Sequence, residues 1–205
     1  KLATGICLVA QRDPIHTAKE VASLDRISGG RFLFGVGYGW NKEEMAHHGT
    51  RYTERREMLR EYVLAMKELW NHDEASFDGE YVRFSSSWAW PKPTQDGGPP
   101  VILGGNAGPK TAAHIAEFCD GWMPIGGRHP LEKWGLIEDA CHAIGRDPES
   151  IERGLFGAAP DEAKLTELSE TGISRAVLGL PQGPRDEVMA KLDEYAPLVA
   201  AMADA

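Results

Sequence analysis

Two short turns hold the residues best suited to chemistry: Gly35-Val-Gly-Tyr-Gly-Trp40, and Gly104-Gly-Asn-Ala-Gly108 followed by Pro109. Proline suits the first position of a helix, and a helix that opens there leaves backbone N–H groups free at its positive end. Such an end suits a phosphate. The glycines of the first turn remove side chains where a planar ligand would lie against backbone. Its GxGxG lettering is not a dinucleotide fingerprint, because Trp40, Asn41 and acids follow and no βαβ unit with an acid about 20 residues on completes it. The plainer uses of these residues are strand curvature for the first turn and an ordinary loop for the second. Gly126-Gly127-Arg128 offers a further anion contact, with Arg128 as the charge.

No nucleophile elbow, HExxH, P-loop or pair of strand-end carboxylates accompanies these turns. A prepared pocket with so little side-chain chemistry points to a cofactor that carries the reactivity. No catalytic residue is assigned. Cys7, Cys119 and Cys141 lack zinc-ligand spacing and read as core thiols of a cytoplasmic protein. His47-His48 diverge on any regular element and have no third ligand nearby, so no metal site is expected. Arg51, Arg55 and Arg56, diluted by Glu54 and Glu57, read as a solvated helix face, with an anion contact as the alternative.

The elements that must position these turns alternate along the chain. Leu2–Val9 reads as a strand, and Asp13-Pro14 opens a helix with Ile15, Ala18, Val21, Ala22 and Ile27 on its apolar face, stopped by Gly29-Gly30. Residues 31–37 form the next strand. Thr53–Trp70 is the clearest helix, since Met58, Leu59, Tyr62, Val63, Met66, Leu69 and Trp70 make one stripe. An insert at about 71–100 holds a short hairpin of Ala75–Asp78 and Tyr81–Phe84 and four prolines. The alternation resumes with strands at 101–104, 121–125, 154–158 and 175–180 and helices at 108–118, 130–144, 161–170 and from Arg185. Parallel strands alternating with helices gather their turns on one rim. A doubly wound open sheet is the alternative to a barrel.

At 205 residues, with 42% hydrophobic and 26% charged residues, the chain can bury one core, and a single domain over 1–205 is expected. A net charge of −9 with dispersed basic residues argues against a nucleic-acid partner. No apolar run approaches the roughly 20 residues of a membrane span.

Across nearly its whole length the chain resembles the luciferase-like monooxygenase superfamily. The resemblance is carried by Leu2-Ala-Thr-Gly-Ile-Cys-Leu8, by Leu24-Asp25-Arg26-Ile27-Ser28-Gly-Gly-Arg31, and by Phe34-Gly-Val-Gly-Tyr-Gly-Trp-Asn41 with Glu43-Glu44. It continues through Phe77-Asp-Gly-Glu-Tyr81 to Phe84, Pro91-Lys-Pro93, Val101-Ile-Leu-Gly-Gly-Asn106 and Asp120-Gly-Trp-Met-Pro124. The branch it resembles most uses the deazaflavin coenzyme F-420 (8-hydroxy-5-deazaflavin), with FMN as the alternative cofactor.

The resemblance implies an α/β fold, a (β/α)8 TIM barrel entered at its third strand, with the first two β-α units expected upstream of Lys1. It implies a cofactor ring across the strand ends, backed by a bulge with a non-prolyl cis peptide matching Gly5-Ile6. It also implies contacts from Gly37, Tyr38, Gly39 and Trp40 after the next strand, and from Gly104, Gly105 and Asn106 after the one that follows. Tyr38 stands where true luciferases place a flavin-phosphate arginine, and Trp40 where sugar-phosphate dehydrogenases of the deazaflavin branch carry an acid. The expected activity is hydride transfer between coenzyme F-420 and a small organic substrate. An FMN-dependent monooxygenase and a non-catalytic cofactor-binding barrel are the other readings. A homodimer is expected, with Trp88 and Trp90 as candidate partner or lid contacts.

Overall fold

Runs of β-branched, aromatic and small residues without polar alternation suit strands covered on both faces, and such strands form one parallel sheet in this protein. A computed structural model describes residues 1–126 and 131–203. The sheet strands are β1 (Leu2–Ala3), β2 (Phe32–Val36), β5 (Val101–Gly104), β6 (Gly121–Met123), β7 (Glu152–Ala158) and β8 (Arg175–Leu178), hydrogen-bonded in that order. Every pairing among them is parallel. A separate antiparallel hairpin joins β3 (Ala75–Asp78) and β4 (Arg83–Ser87). The helices are α1 (Pro14–Ser28), α2 (Lys42–His47), α3 (Arg55–Asn71), α4 (Pro109–Phe118), α5 (Trp134–Ala143), α6 (Glu162–Glu170) and α7 (Arg185–Ala203).

The sheet curls like part of a barrel wall. β1 and β7 are four ladder positions apart, about 19 Å in a flat sheet at ~4.8 Å spacing. Yet Cε2 of Phe156 on β7 lies 3.6 Å from where a methyl on Gly5, just past β1, would sit. A phenyl side chain cannot bridge the flat distance, so the strands between must bend around.

The outer face of the sheet carries the main core. Phe34, Val36, Leu103 and Trp122 meet Leu59, Val63, Met66, Leu69 and Trp70 of α3 and Ile115 of α4. The five α3 side chains contribute roughly 1.5–3 kcal/mol each by burial. Trp70 also donates from Nε1 to the Ala18 carbonyl at 2.9 Å, which ties α3 to α1. α1 begins as its residues dictate. The Asp13 carboxylate accepts from the His16 amide at 2.7 Å, Pro14 fills the first turn, and Gly29 ends the helix at φ 65°.

Two carboxylates fasten the insert. Asp25, fully buried, accepts from the backbone amides of Thr94 (2.8 Å) and Gln95 (2.9 Å) and from Gln95 Nε2 (2.7 Å), fixing the segment that leads into β5. Glu61 accepts from the amides of Glu80, Tyr81 and Val82. That grip holds 80–82 as the turn, so β4 runs over Arg83–Ser87 rather than the expected Tyr81–Phe84. Three further expectations are corrected. The first strand is only Leu2–Ala3, because the backbone leaves the ladder after it, regains one bridge at Cys7, and turns into a 3-10 helix at Val9–Gln11. Ile27 is 84% exposed, off the buried face of α1. α2 was not foreseen.

Candidate functional site

The C-terminal ends of β1, β2 and β5 meet at one place on the rim. The peptide between Gly5 and Ile6 is cis, at the step the resemblance marks. Past it, Ile6 turns its side chain over the ends of the two neighbouring strands. A methyl on Gly37 would lie 2.8 Å from Ile6 Cδ1, and one on Gly104 would lie 2.9 Å from Ile6 Cγ2. These glycines therefore make room for Ile6. The backbone closes the junction, as the Cys7 amide donates to the Gly35 carbonyl (2.8 Å) and the Gly37 amide to the Cys7 carbonyl (3.2 Å). A methyl on Gly35 would collide with the Thr4 carbonyl oxygen, so that glycine serves close strand approach.

The mouth inside the curl is apolar. Ile6 is 41% exposed, Phe156 43% and Ile125 68%. Ile125 and Phe156 face each other in a parallel bridge. Lower on the wall, Glu152 and Arg175 form a two-pronged ion pair at 2.5 and 3.1 Å.

The loop after β2 splits its residues between two surroundings. Tyr38 turns toward the helices, where its hydroxyl meets His114 Nδ1 of α4 at 2.9 Å and the Arg56 guanidinium lies 5.3 Å from its ring centre. Burial pushes its phenol well above the ordinary tyrosine range. Gly39 has φ 75° and abuts Met45 Cε, and its carbonyl accepts from Arg55 Nε at 3.3 Å. Trp40 is 84% exposed. Asn41 then caps α2 by accepting from the amides of Glu43 and Glu44. Of the three arginines, Arg51 is solvent-exposed and pairs with Glu54, as a solvated face implies, whereas Arg55 stacks 3.6 Å from the Tyr52 ring centre.

The turn after β5 leads into α4, whose N-cap Gly108 offers no side chain to the first-turn amides. Gly105 has φ 111°, and a side chain there would point into open space. Its amide donates to the Met123 carbonyl (3.1 Å) and its carbonyl accepts from Trp122 Nε1 (2.8 Å), so the turn is held from β6. Asn106 is exposed and Ala107 buried. Lys110, in the first turn, pairs with Glu57 of α3, and that ammonium holds the Glu57 carboxyl below its usual range. Gly127 and Arg128 lie outside the described residues.

The structure thus brings Gly5, Ile6, Gly37 and Gly104 into direct contact and sets Gly105 and Asn106 one turn further along the same rim. It directs Tyr38 toward α4 and leaves Trp40 outermost. Ile125, just past the end of β6, and Phe156, within β7, were not anticipated as site residues. His114 and Glu57 were not anticipated either. Among the described residues no group of His, Cys, Asp and Glu could hold a metal ion, and no helix is long and apolar enough to cross a membrane. Cys119 and Cys141 are buried as expected, and Cys7 is half-buried at the β1–β2 junction.

A parallel curled sheet with glycine turns on its C-terminal rim is the wall of a β/α barrel. The luciferase-like monooxygenase family model matches residues 1–159, and the chain belongs to that family. It is 38% identical over 203 residues to an uncharacterised protein of Mycobacterium tuberculosis, covering 98% of this chain and 71% of the relative. An F-420-dependent hydroxymycolic acid dehydrogenase of the same organism is 28% identical over 165 residues, 78% of this chain and 45% of the relative. An FMNH2-dependent dimethylsulfone monooxygenase of Pseudomonas putida is 33% identical over 112 residues, 53% of this chain and 30% of that enzyme. The chain therefore spans less than half the length of these two enzymes. Among solved structures, the coenzyme F-420-dependent tetrahydromethanopterin reductase of Methanopyrus kandleri superposes with a TM-score of 0.72 at 19% identity, over 97% of this chain and 81% of that one. The likeness confirms the luciferase-like barrel fold.

Proposed function

We propose that the protein is an oxidoreductase that moves a hydride between coenzyme F-420 and a small organic substrate. The observation that carries this reading is the juxtaposition of the uncapped α4 N-terminus with the apolar mouth of Ile6, Ile125 and Phe156. The residues fit such a cofactor. Gly105 leaves open space beside the turn and Gly108 supplies no competing cap, so the amides of the first turn of α4 would hold a phosphate. Ile6 would support the flat face of the ring. The cofactor, when bound, supplies the hydride chemistry. The chain supplies orientation and an apolar, solvent-exposed mouth that a bound ring would cover.

Two features favour the deazaflavin. The F-420-dependent relative aligns over more of this chain than the FMNH2-dependent one. Tyr38, engaged with His114, also offers no guanidinium to a flavin phosphate. FMN-dependent monooxygenation is the second reading, supported by the 33% identity to the dimethylsulfone enzyme. Titration of the purified chain with each cofactor separates them: tighter binding of F-420 supports the first reading, and tighter binding of FMN replaces it with the second. The protein is further proposed to act in the cytoplasm as a homodimer.

A further inference from the structure

The loop Gly37–Trp40 and the first turns of α4 belong to different strand ends, yet one buried group joins them. His114 is 5% exposed and lies on the face of α4 turned toward Tyr38 and Glu57 of α3. Its Nδ1 meets the Tyr38 hydroxyl at 2.9 Å, and its Nε2 lies 3.9 Å from Glu57 Oε1. The same Glu57 oxygen holds Lys110 in the first turn of α4. The surroundings decide the tautomer. A proton on Nε2 faces a carboxylate, whereas a lone pair there would be repelled by it, so Nδ1 is the acceptor and Tyr38 the donor.

We propose that His114 is a positioning residue of the rim: by accepting the Tyr38 hydroxyl it locks the loop Gly37–Trp40 onto α4, so that both glycine turns face one bound cofactor as a unit. The rim is read as a cofactor site on the grounds given above, but the lock itself exists without a ligand. The charged and titratable groups around the imidazole are Glu57 and Arg60 from α3, Lys110 and Glu117 from α4, and Tyr38 from the loop. Arg56 lies over the Tyr38 ring, and the Thr111 side chain, Cys119 and Glu57 also act on its phenol. Burial outweighs the two carboxylates and lowers the imidazole pKa, keeping it neutral and able to accept near pH 7. Protonation would convert Nδ1 into a donor and break the lock.

Hydrogen–deuterium exchange of the peptide spanning 36–42 tests this without any cofactor. Tyr38→Phe removes only the hydroxyl, with its bonds to His114 and the Thr111 side chain, and should speed exchange at least roughly three- to tenfold, the worth of one neutral hydrogen bond. His114→Phe should speed exchange in the same direction without exceeding Tyr38→Phe, since Thr111 still holds the hydroxyl, and the double variant should be no faster than Tyr38→Phe. His114→Asn places an acceptor oxygen where Nδ1 stood and should restore protection. After correction for the intrinsic rate, protection in the wild type should fall as pH drops below 6.5, the ordinary imidazole value, and this dependence should vanish in Tyr38→Phe. Unchanged exchange in Tyr38→Phe, equal exchange in the Asn and Phe variants at 114, or a pH dependence that survives in Tyr38→Phe would each overturn the lock. In a parallel titration with coenzyme F-420, Tyr38→Phe should bind several-fold more weakly and His114→Asn near wild type. A loosened loop with unchanged affinity would overturn the positioning role. If the wild type binds no F-420 while the exchange results hold, the cofactor reading fails and the lock stands.

Discussion

The wedge of Ile6 between two strand ends makes a quantitative demand on its neighbours. A methyl on Gly37 would sit 2.8 Å from Ile6 Cδ1 and 3.0 Å from Cγ1, but 3.7 Å from Cβ. Ordinary carbon contacts are about 3.5–4.0 Å, so Gly37→Ala overlaps the two outer atoms and clears the inner one. The backbone is not the obstacle, because Gly37 is not among the positive-φ glycines. Overpacking of this kind costs about 1–3 kcal/mol. Ile6→Ala alone should cost about 1–2 kcal/mol, since a fully buried isoleucine loses about 2–5 and this one is 41% exposed. With both changes the nearest remaining contact is the ordinary one to Cβ. The pair should then be less destabilised than the sum by about 1–2 kcal/mol, a coupling a double-mutant cycle in urea resolves. Strict additivity within about 0.5 kcal/mol would refute the wedge.

Asp25→Ala should lower stability by about 2–4 kcal/mol, because a fully buried carboxylate that accepts three hydrogen bonds is lost; a loss under about 0.5 kcal/mol in urea unfolding would show that the 91–100 segment is held by other means. His114 has a lowered pKa through burial, so below its ordinary value of 6.5 the unfolded chain binds a proton that the folded chain resists. Stability is fully present above that value and declines as pH falls toward the folded pKa. Wild type should therefore lose stability relative to His114→Asn as pH falls below 6.5, and parallel curves would contradict the burial. Trp88 and Trp90 are 75% and 58% exposed, and replacing both with serine should shift a sedimenting dimer toward monomer. A wild type that sediments only as monomer would remove the proposed homodimer.

Much of this arrangement was legible where a local signal coincided with the tertiary outcome. The stripe from Leu59 to Trp70 identified α3, Asp13-Pro14 and Gly29 bounded α1, and Val101–Gly104 was bounded by Pro100 and the glycine turn. α2 escaped because Met45 is its one buried residue, which leaves no stripe to find; Asn41 with Glu43 and Glu44 was its available capping signal. The hairpin boundary moved because Glu61, some twenty residues upstream, grips the turn. No local pattern reports that. Gly37 was legible as a site of close approach and Gly104 as part of a phosphate-suited turn, and Ile6 of the chain itself packs against both. Tyr38 was legible as a rim residue, whereas its partner His114 looked like one more position on an amphipathic helix.

The central claim is that the first turn of α4 holds the phosphate of a deazaflavin cofactor, and Gly108→Asp tests it with little risk to the fold. Gly108 has φ −132° and no atoms within 4 Å of an added side chain. Aspartate there supplies the missing cap and should change stability by only a few tenths of a kcal/mol. It also places a carboxylate on the amides proposed for the phosphate. The measurement is the affinity of wild type and Gly108→Asp for coenzyme F-420 and for its phosphate-free deazaflavin core. The variant should lose at least about tenfold for F-420, equivalent to 1.4 kcal/mol, while binding the phosphate-free core as the wild type does. A variant that binds F-420 as tightly as the wild type would contradict the claim.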